Sequence, residues 1–461
     1  MADHAALDGV ISDRLDAWTD ELFQFCRFPS ELGDMAALRG AADWTAERLE
    51  ALGADVSVLA LDGSPPLVVG EIGSGPRTLN LVQHYDVQPA VPLELWTTPP
   101  YEPAIRDGRL FARGATDNKG EFLPRVWAVE AYLEAIGDLP CRLRFLVEGE
   151  EESGSRHLDE LLDLRPELRR ADAALIEGGG LTREDEPEIA GGGRGMVILE
   201  LSVRTIDYDA HSSLAVVLPN AAQRLARALA TMWTADGLPA VAGLDTGVRP
   251  PTAGQLGVVA ATPDKLLDDL RKEYGVDRFV GGLDGLEAFR ALTFSPTLNI
   301  QGLWSGFTDR GSKTITPAEA HARIDIRLVP DQEPDAIRTA VRDHLDRAGF
   351  PDVDVVAQHS ERAWWTPPEH PLLDAAARAS EAIVGHGAIR EVSISATVPM
   401  YQVCAQHRVP ATTLGAARDD CRAHAPDENV RLADLATATR ISARFYDEFA
   451  ALPEVPPVEV P

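Results

Sequence analysis

Apolar and polar positions divide the chain into stretches of different period. In the first fifty residues Leu15, Trp18 and Leu22 share one helical face, and Leu49 and Leu52 close a second helical stretch. A break near Pro29 separates the two, and Gly53 ends the second. Short β-rich runs follow at 56–61, 67–72 and 78–83, the last leading straight into His84. A strand-and-turn pair over 101–113 precedes Asp117. Phe122, Val126, Val129 and Leu133 then recur at helical spacing, which predicts a helix over 119–136 with that face buried. Apolar runs at 142–147 and 173–176 read as strands that stop at Glu150-Glu151-Glu152 and at Glu177.

Alternating strands and helices predict an open α/β sheet, and ligands of such sheets bind beyond the carboxyl ends of the strands. His84, Glu151, Glu152 and Glu177 all fall at such ends.

The pattern changes after Gly191-Gly192-Gly193, a run read as a hinge or close-approach segment because it lacks the phosphate-binding glycine spacing. A strand over 196–205 and an Ala-rich helix over 220–234 come next. Residues 321–329 alternate, with Ile324, Ile326 and Leu328 on one face and Arg323, Asp325 and Arg327 on the other. A helix over 334–349 and a strand over 353–358 complete a small α+β layer of ferredoxin-like character, inserted into the larger α/β domain. Residues 235–294 read as irregular or helical padding. The resulting division is 1–195 and 363–461 for the larger domain and 196–362 for the insert. The Pro-rich stretch 452–461 is expected to be disordered.

At 461 residues, two domains are expected from length alone. Lys and Arg total 43 against 73 Asp and Glu, a formal charge of -30, which argues against nucleic acid and anionic membranes as partners. Four cysteines without a C-x-x-C pair, and an N-terminus without a basic and apolar leader, fit a reduced, cytoplasmic setting.

Two histidines with several carboxylates at strand ends suit a pair of divalent cations, and the absence of thiolate favours Zn, Mn or Co. His84 and His424 are the candidate imidazoles. Asp86 lies two residues beyond His84 on an extended chain, placed to receive the imidazole N–H. Of three consecutive glutamates, one can bind metal while a neighbour carries a proton.

H-Y-D-V-Q-P (84–89), R-G-A-T-D-N-K-G (113–120), E-G-E-E-E-S-G-S (148–155), I-E-G-G (176–179) and A-H-A-P-D-E-N (423–429) together resemble a dinuclear metallopeptidase family. Its members include carnosinases, carboxypeptidase G, aminoacylase and succinyl-diaminopimelate desuccinylase. The resemblance spans nearly the whole chain and is strongest toward the carnosinase-like cytosolic dipeptidases.

It implies a zinc-exopeptidase-like catalytic domain whose insert serves as lid and dimerisation domain. It also implies two divalent metal ions per subunit: Asp117 bridging both, His84 and Glu177 completing one site, Glu152 and His424 the other. Glu151 is then the general base that deprotonates the bridging water, and the peptide bond after Asp117 is expected to be cis. D-A-H-S at 209–212 is similar to an element whose histidine, here His211, reaches the partner subunit's active site and stabilises the oxyanion. Thr314 and Arg327 resemble residues that contact the oxyanion and the substrate carboxylate, and His370 is a further substrate contact. Where the family has R-E-G-G-S-I-P, this chain reads S-I-S-A-T-V-P from Ser393 to Pro399, with Thr397 in place of the serine. The expected activity is hydrolysis of a dipeptide, or of a small peptide with a free carboxylate, by a homodimer. A deacylase of N-acyl or N-carbamoyl amino acids is the nearest alternative, and a non-catalytic peptide- or metal-binding dimer is the alternative of another class.

Overall fold

The computed structural model describes residues 2–459 and divides into two compact units. The first comprises residues 1–192, 365–394 and 398–461; the second comprises 193–364 and 395–397.

The first unit is built on a six-stranded mixed sheet. Its order is Asp55–Leu59, Leu67–Ile72, Arg142–Glu148, Thr78–His84, Ala173–Ile176, Ala411–Thr413. The first two pairings are antiparallel and the remaining three parallel. The central strands Thr78–His84 and Arg142–Glu148 are buried almost end to end, polar Asn80, Gln83 and Arg144 included. Helix Lys119–Ala135 packs against the helices His4–Cys26 and Leu432–Ala451, with Trp127 stacked on Trp18 at 5.4 Å between ring centroids. Gly191 is a close-approach position: a Cβ there would lie 2.8 Å from the Thr366 carbonyl oxygen.

The second unit follows the order strand, helix, strand, strand, helix, strand. Its sheet, wholly antiparallel, runs Asn299–Ser305, Glu319–Leu328, Gly195–Arg204, Asp354–Glu361. Helices Ala221–Ala230 and Pro334–Arg347 cover one face, and Leu199, Leu201, Leu225, Ile324, Ile326 and Val341 form its core. This is the ferredoxin-like arrangement. The stretch expected as padding contains helices Ala253–Ala261, Lys265–Tyr274 and Gly285–Phe294.

The tail departs from expectation. Val458 N donates to the Arg408 carbonyl at 2.7 Å, Leu452 and Val458 are buried, and Val455 packs against the core. The three residues are spaced three apart, so an extended Pro-rich segment presents them on one side, and apolar burial overrides the composition. Among the described residues no helix is long and apolar enough to cross a membrane. All four cysteines are buried and unpaired.

Candidate metal centre

Three neighbouring parallel strands aim their carboxyl ends at one point. His84 is the last residue of its strand, is fully buried, and has Nδ1 3.0 Å from the Asp86 carbonyl and 3.2 Å from Asp86 Oδ1. The adjacent strand ends at Glu148. Gly149 follows because a Cβ there would strike the Tyr85 ring, and the chain then turns through the 3-10 segment Glu151–Ser153. The Asp86 carboxylate accepts from Glu151 N at 3.3 Å and Glu152 N at 3.1 Å, so it ties the histidine to the glutamate turn. The third strand delivers Glu177, whose Oε2 lies 2.8 Å from His84 Nε2.

Asp117 lies between the two imidazoles. Its Oδ1 is 3.1 Å from His84 Nε2 and its Oδ2 is 2.8 Å from His424 Nε2. The Asp117–Asn118 peptide is cis. Glu152 Oε2 lies 3.2 Å from His424 Nε2 and accepts from Gln88 Nε2 at 3.0 Å. Glu151 is set further back, its Oε2 being 4.0 Å from His84 Nε2. Glu150 turns away and bonds His157 Nδ1 at 2.7 Å, which separates the three consecutive glutamates into three environments.

The electrostatics are those of crowded anions. Burial, then the Glu177 charge, pushes Glu151 well above the usual carboxylate range, and burial with Asp117 pushes Glu152 up to about 7. Burial also works to raise Asp117, but its hydrogen bonds to His424 and His84 hold it below the usual range. His424 is raised to about 10 by Asp117 and Glu152. Burial opposes a proton on His84, yet Glu177, Asp117 and Asp86 outweigh it and hold its pKa well above the ordinary value. The oxygen and imidazole donors of His84, Glu151 and Glu177 lie within 4.8 Å of one another, as do those of His84, Asp117 and Glu152. Glu152 Oε1 is buried with no hydrogen-bond partner. Imidazole and carboxylate donors without thiolate, together with that orphaned oxygen, fit divalent metal ions.

Two supporting residues escape a sequence reading. Glu428 is completely buried and accepts four bonds: from Arg113 Nη1 at 2.8 Å, Gly114 N at 3.0 Å, Thr116 N at 2.9 Å and Asp117 N at 3.0 Å. It therefore shapes the whole loop that presents Asp117. Glu121 accepts from Gly178 N at 3.0 Å, the residue after Glu177, and burial pushes its carboxyl up to about 7. The only cue to Glu428 was its place four residues after His424.

The remaining expected residues lie elsewhere. His211 is exposed in the second unit, its Nδ1 2.8 Å from Ser213 Oγ. It stands opposite Ile315 on a short ladder, beside exposed Thr314, whose carbonyl accepts from Ser212 N at 3.0 Å. Arg327 Nη1 donates to Thr397 Oγ1 at 2.6 Å, also within the second unit. His370, expected to touch substrate, has both ring nitrogens engaged. Nδ1 accepts from Leu372 N at 3.1 Å as the N-cap of helix Pro371–Val384, and Nε2 meets the Pro456 carbonyl at 2.8 Å. Its ring caps a helix and anchors the tail.

The family model for Peptidase family M20/M25/M40 matches residues 81–448. The chain is similar to the Beta-Ala-His dipeptidase of Rattus norvegicus, 28% identical over 456 residues that cover 94% of this chain and 91% of the rat protein. It is also similar to the Cys-Gly metallodipeptidase of Schizosaccharomyces pombe, 26% identical over 469 residues, 96% of this chain and 98% of that one. A solved structure of an M20 family metallo-carboxypeptidase from Sulfolobus solfataricus shares the fold with a TM-score of 0.87 and 29% identity, covering 94% of this chain and 99% of the other.

Proposed function

We propose that this chain, which belongs to peptidase family M20/M25/M40, is a metal-dependent dipeptidase that hydrolyses an amide bond next to a free carboxylate. The observation that carries the reading is the convergence of His84, Asp117, Glu152, Glu177 and His424 at the end of one sheet, with Glu151 beside them. His84 and Glu177 would hold one divalent ion, Glu152 and His424 the other, with Asp117 available to both. Zinc suits this donor set, as do manganese and cobalt. When bound, the pair supplies polarisation of the scissile carbonyl and a lowered pKa for the attacking water.

The chain's own groups do the rest. Asp86 fixes the ring orientation of His84. Glu151 takes the proton from water and returns it to the leaving amine. Thr314, and His211 from a second subunit, donate to the oxygen on which charge develops, and Arg327 with Thr397 receives the free carboxylate. Four reduced cysteines support a cytoplasmic setting.

A homodimer through the second unit is supported by its exposed apolar side chains. Val216 is 88% exposed, Val217 74% and Leu303 57%, the last on the edge strand Asn299–Ser305. His211→Ala and Glu151→Ala are each expected to be inactive, and equal amounts co-folded should regain roughly a quarter of wild-type activity. Random pairing makes half the dimers mixed, and each mixed dimer has one intact site. Absence of recovery would place the oxyanion donor within one chain.

Amine release from dipeptides and N-acyl amino acids, by enzyme stripped of metal and then reloaded with Zn or Mn, tests the reaction itself. Turnover of dipeptides that disappears on stripping and returns on reloading is the expected result. Turnover of acylated amino acids alone would move the protein to deacylation, and silence with metal bound would overturn the proposal.

A further inference from the structure

Six arginines are buried among the described residues: Arg113, Arg125, Arg144, Arg169, Arg194 and Arg418. Five of them have a carboxylate oxygen within 4.0 Å. Arg194 has none among the described residues, although acids outnumber bases by 30 charges in this chain. Its Nη1 donates to the Leu292 carbonyl at 2.6 Å and its Nη2 to that of Ser295, while its Nε is buried with no acceptor. Burying a guanidinium against neutral acceptors alone is costly.

A charge of the same sign acts on it from across the ladder. Met196 pairs directly with Arg327 across the ladder, and Arg194 immediately precedes Gly195, the first residue of that strand. Burial and the Arg327 charge lower Arg194 to about 10, which leaves it charged at neutral pH. Arg327 likewise has no carboxylate within 4.0 Å among the described residues, and its Nη1 donates to Thr397 Oγ1. The Arg194 backbone N–H donates to the Ala396 carbonyl at 2.9 Å, so both arginines border the loop 395–397.

We infer that Arg194 is a positioning residue for the substrate's free carboxylate: it adds a second, buried positive charge behind Arg327, so that the pair selects a carboxylate over a neutral end group. This rests on the dipeptidase reading, in which Arg327 makes the direct contact. An anion at Arg327 is what the two like charges lack, and the low-polarity setting of Arg194 lets its charge act at that distance with little screening.

The test compares the metal-loaded wild type with R194Q and R194K, each on one dipeptide and on the same dipeptide with a C-terminal amide. In R194Q, kcat/KM for the free acid should fall about tenfold, chiefly through KM, with the amide within about twofold, a loss of ~1.4 kcal/mol in discrimination. R194K, which keeps the charge, should stay within about threefold of wild type on both. Equal loss on the two substrates, or R194K losing as much selectivity as R194Q, would reduce Arg194 to a cap for helix Gly285–Phe294 and overturn the inference. R194M, which fills the same volume without charge, replaces R194Q if the latter does not fold. A wild type that cleaves no dipeptide defeats the functional reading. A dipeptidase whose preference for the acid survives R194Q defeats only the role of Arg194.

Discussion

Replacing Glu151 by Gln is expected to leave the metal content of the enzyme unchanged and to lower kcat by about 10²–10⁴-fold, the range for loss of a positioned general base. That corresponds to about 3–5 kcal/mol of barrier. The expectation follows from how the turn after Glu148 distributes its three carboxylates. Glu150 is taken up by His157 and Glu152 by His424 and Gln88, whereas Glu151 is 4.0 Å from the nearer imidazole. The amide of Gln keeps the volume and the backbone bond from Glu151 N to Asp86 but cannot accept the proton. Metal analysis beside steady-state kinetics decides the matter. Full turnover with both ions present would remove Glu151 from the base role, and loss of one ion along with activity would make it a ligand, consistent with its place near His84 and Glu177.

Glu428→Ala should be the most damaging substitution for stability outside the apolar core. The four donors on its carboxylate are the Arg113 guanidinium and the N–H groups of Gly114, Thr116 and Asp117, the first three bonds buried and the last part-buried. Removing the acceptor leaves Arg113, 1% exposed, as an uncompensated buried charge. Breaking such a pair typically costs about 3–5 kcal/mol, a large share of the about 5–15 kcal/mol that holds a typical protein folded. Because Asp117 N is among the donors, metal affinity should fall as well. Denaturant unfolding with and without added Zn measures both effects. A variant within about 1 kcal/mol of wild type that binds metal normally would show that the loop is held by other means.

The centre was legible in the sequence because its residues combine two signals, a strand that stops and a side chain able to bind metal. His84, Glu152 and Glu177 carry both. Glu428 and Glu121 have the side chain but no strand end, and nothing in a sequence separates a buried acceptor from a solvated one in a chain with 73 acidic residues. Strand Asn299–Ser305 was missed for a similar reason. It lies at a sheet edge with most of its residues exposed, so it lacks the alternation that marks its neighbour Glu319–Leu328. Helix Ala253–Ala261 buries only Val259 and contains Gly257, so no apolar stripe announces it. His370, expected as a substrate contact from its place before a proline, caps a helix and meets the Pro456 carbonyl, a role that the sequence alone does not announce.

The loop that presents Asp117 is closed by residues made very late. His424 lies 307 positions after Asp117, and Glu428 lies 311 positions after it. A nascent chain that has completed the sheet order through Ala173–Ile176, and even the whole of residues 193–364, still lacks both. Until they emerge from the ribosome, Arg113 has no counterion and the N–H groups of Gly114, Thr116 and Asp117 have no acceptor. The loop around Asp117 therefore gains its buried acceptor and its second imidazole only after residues 424–428 are made. Partial products carry His84, Glu152 and Glu177 without His424 and Glu428, so the cluster around Asp117 closes only late in synthesis.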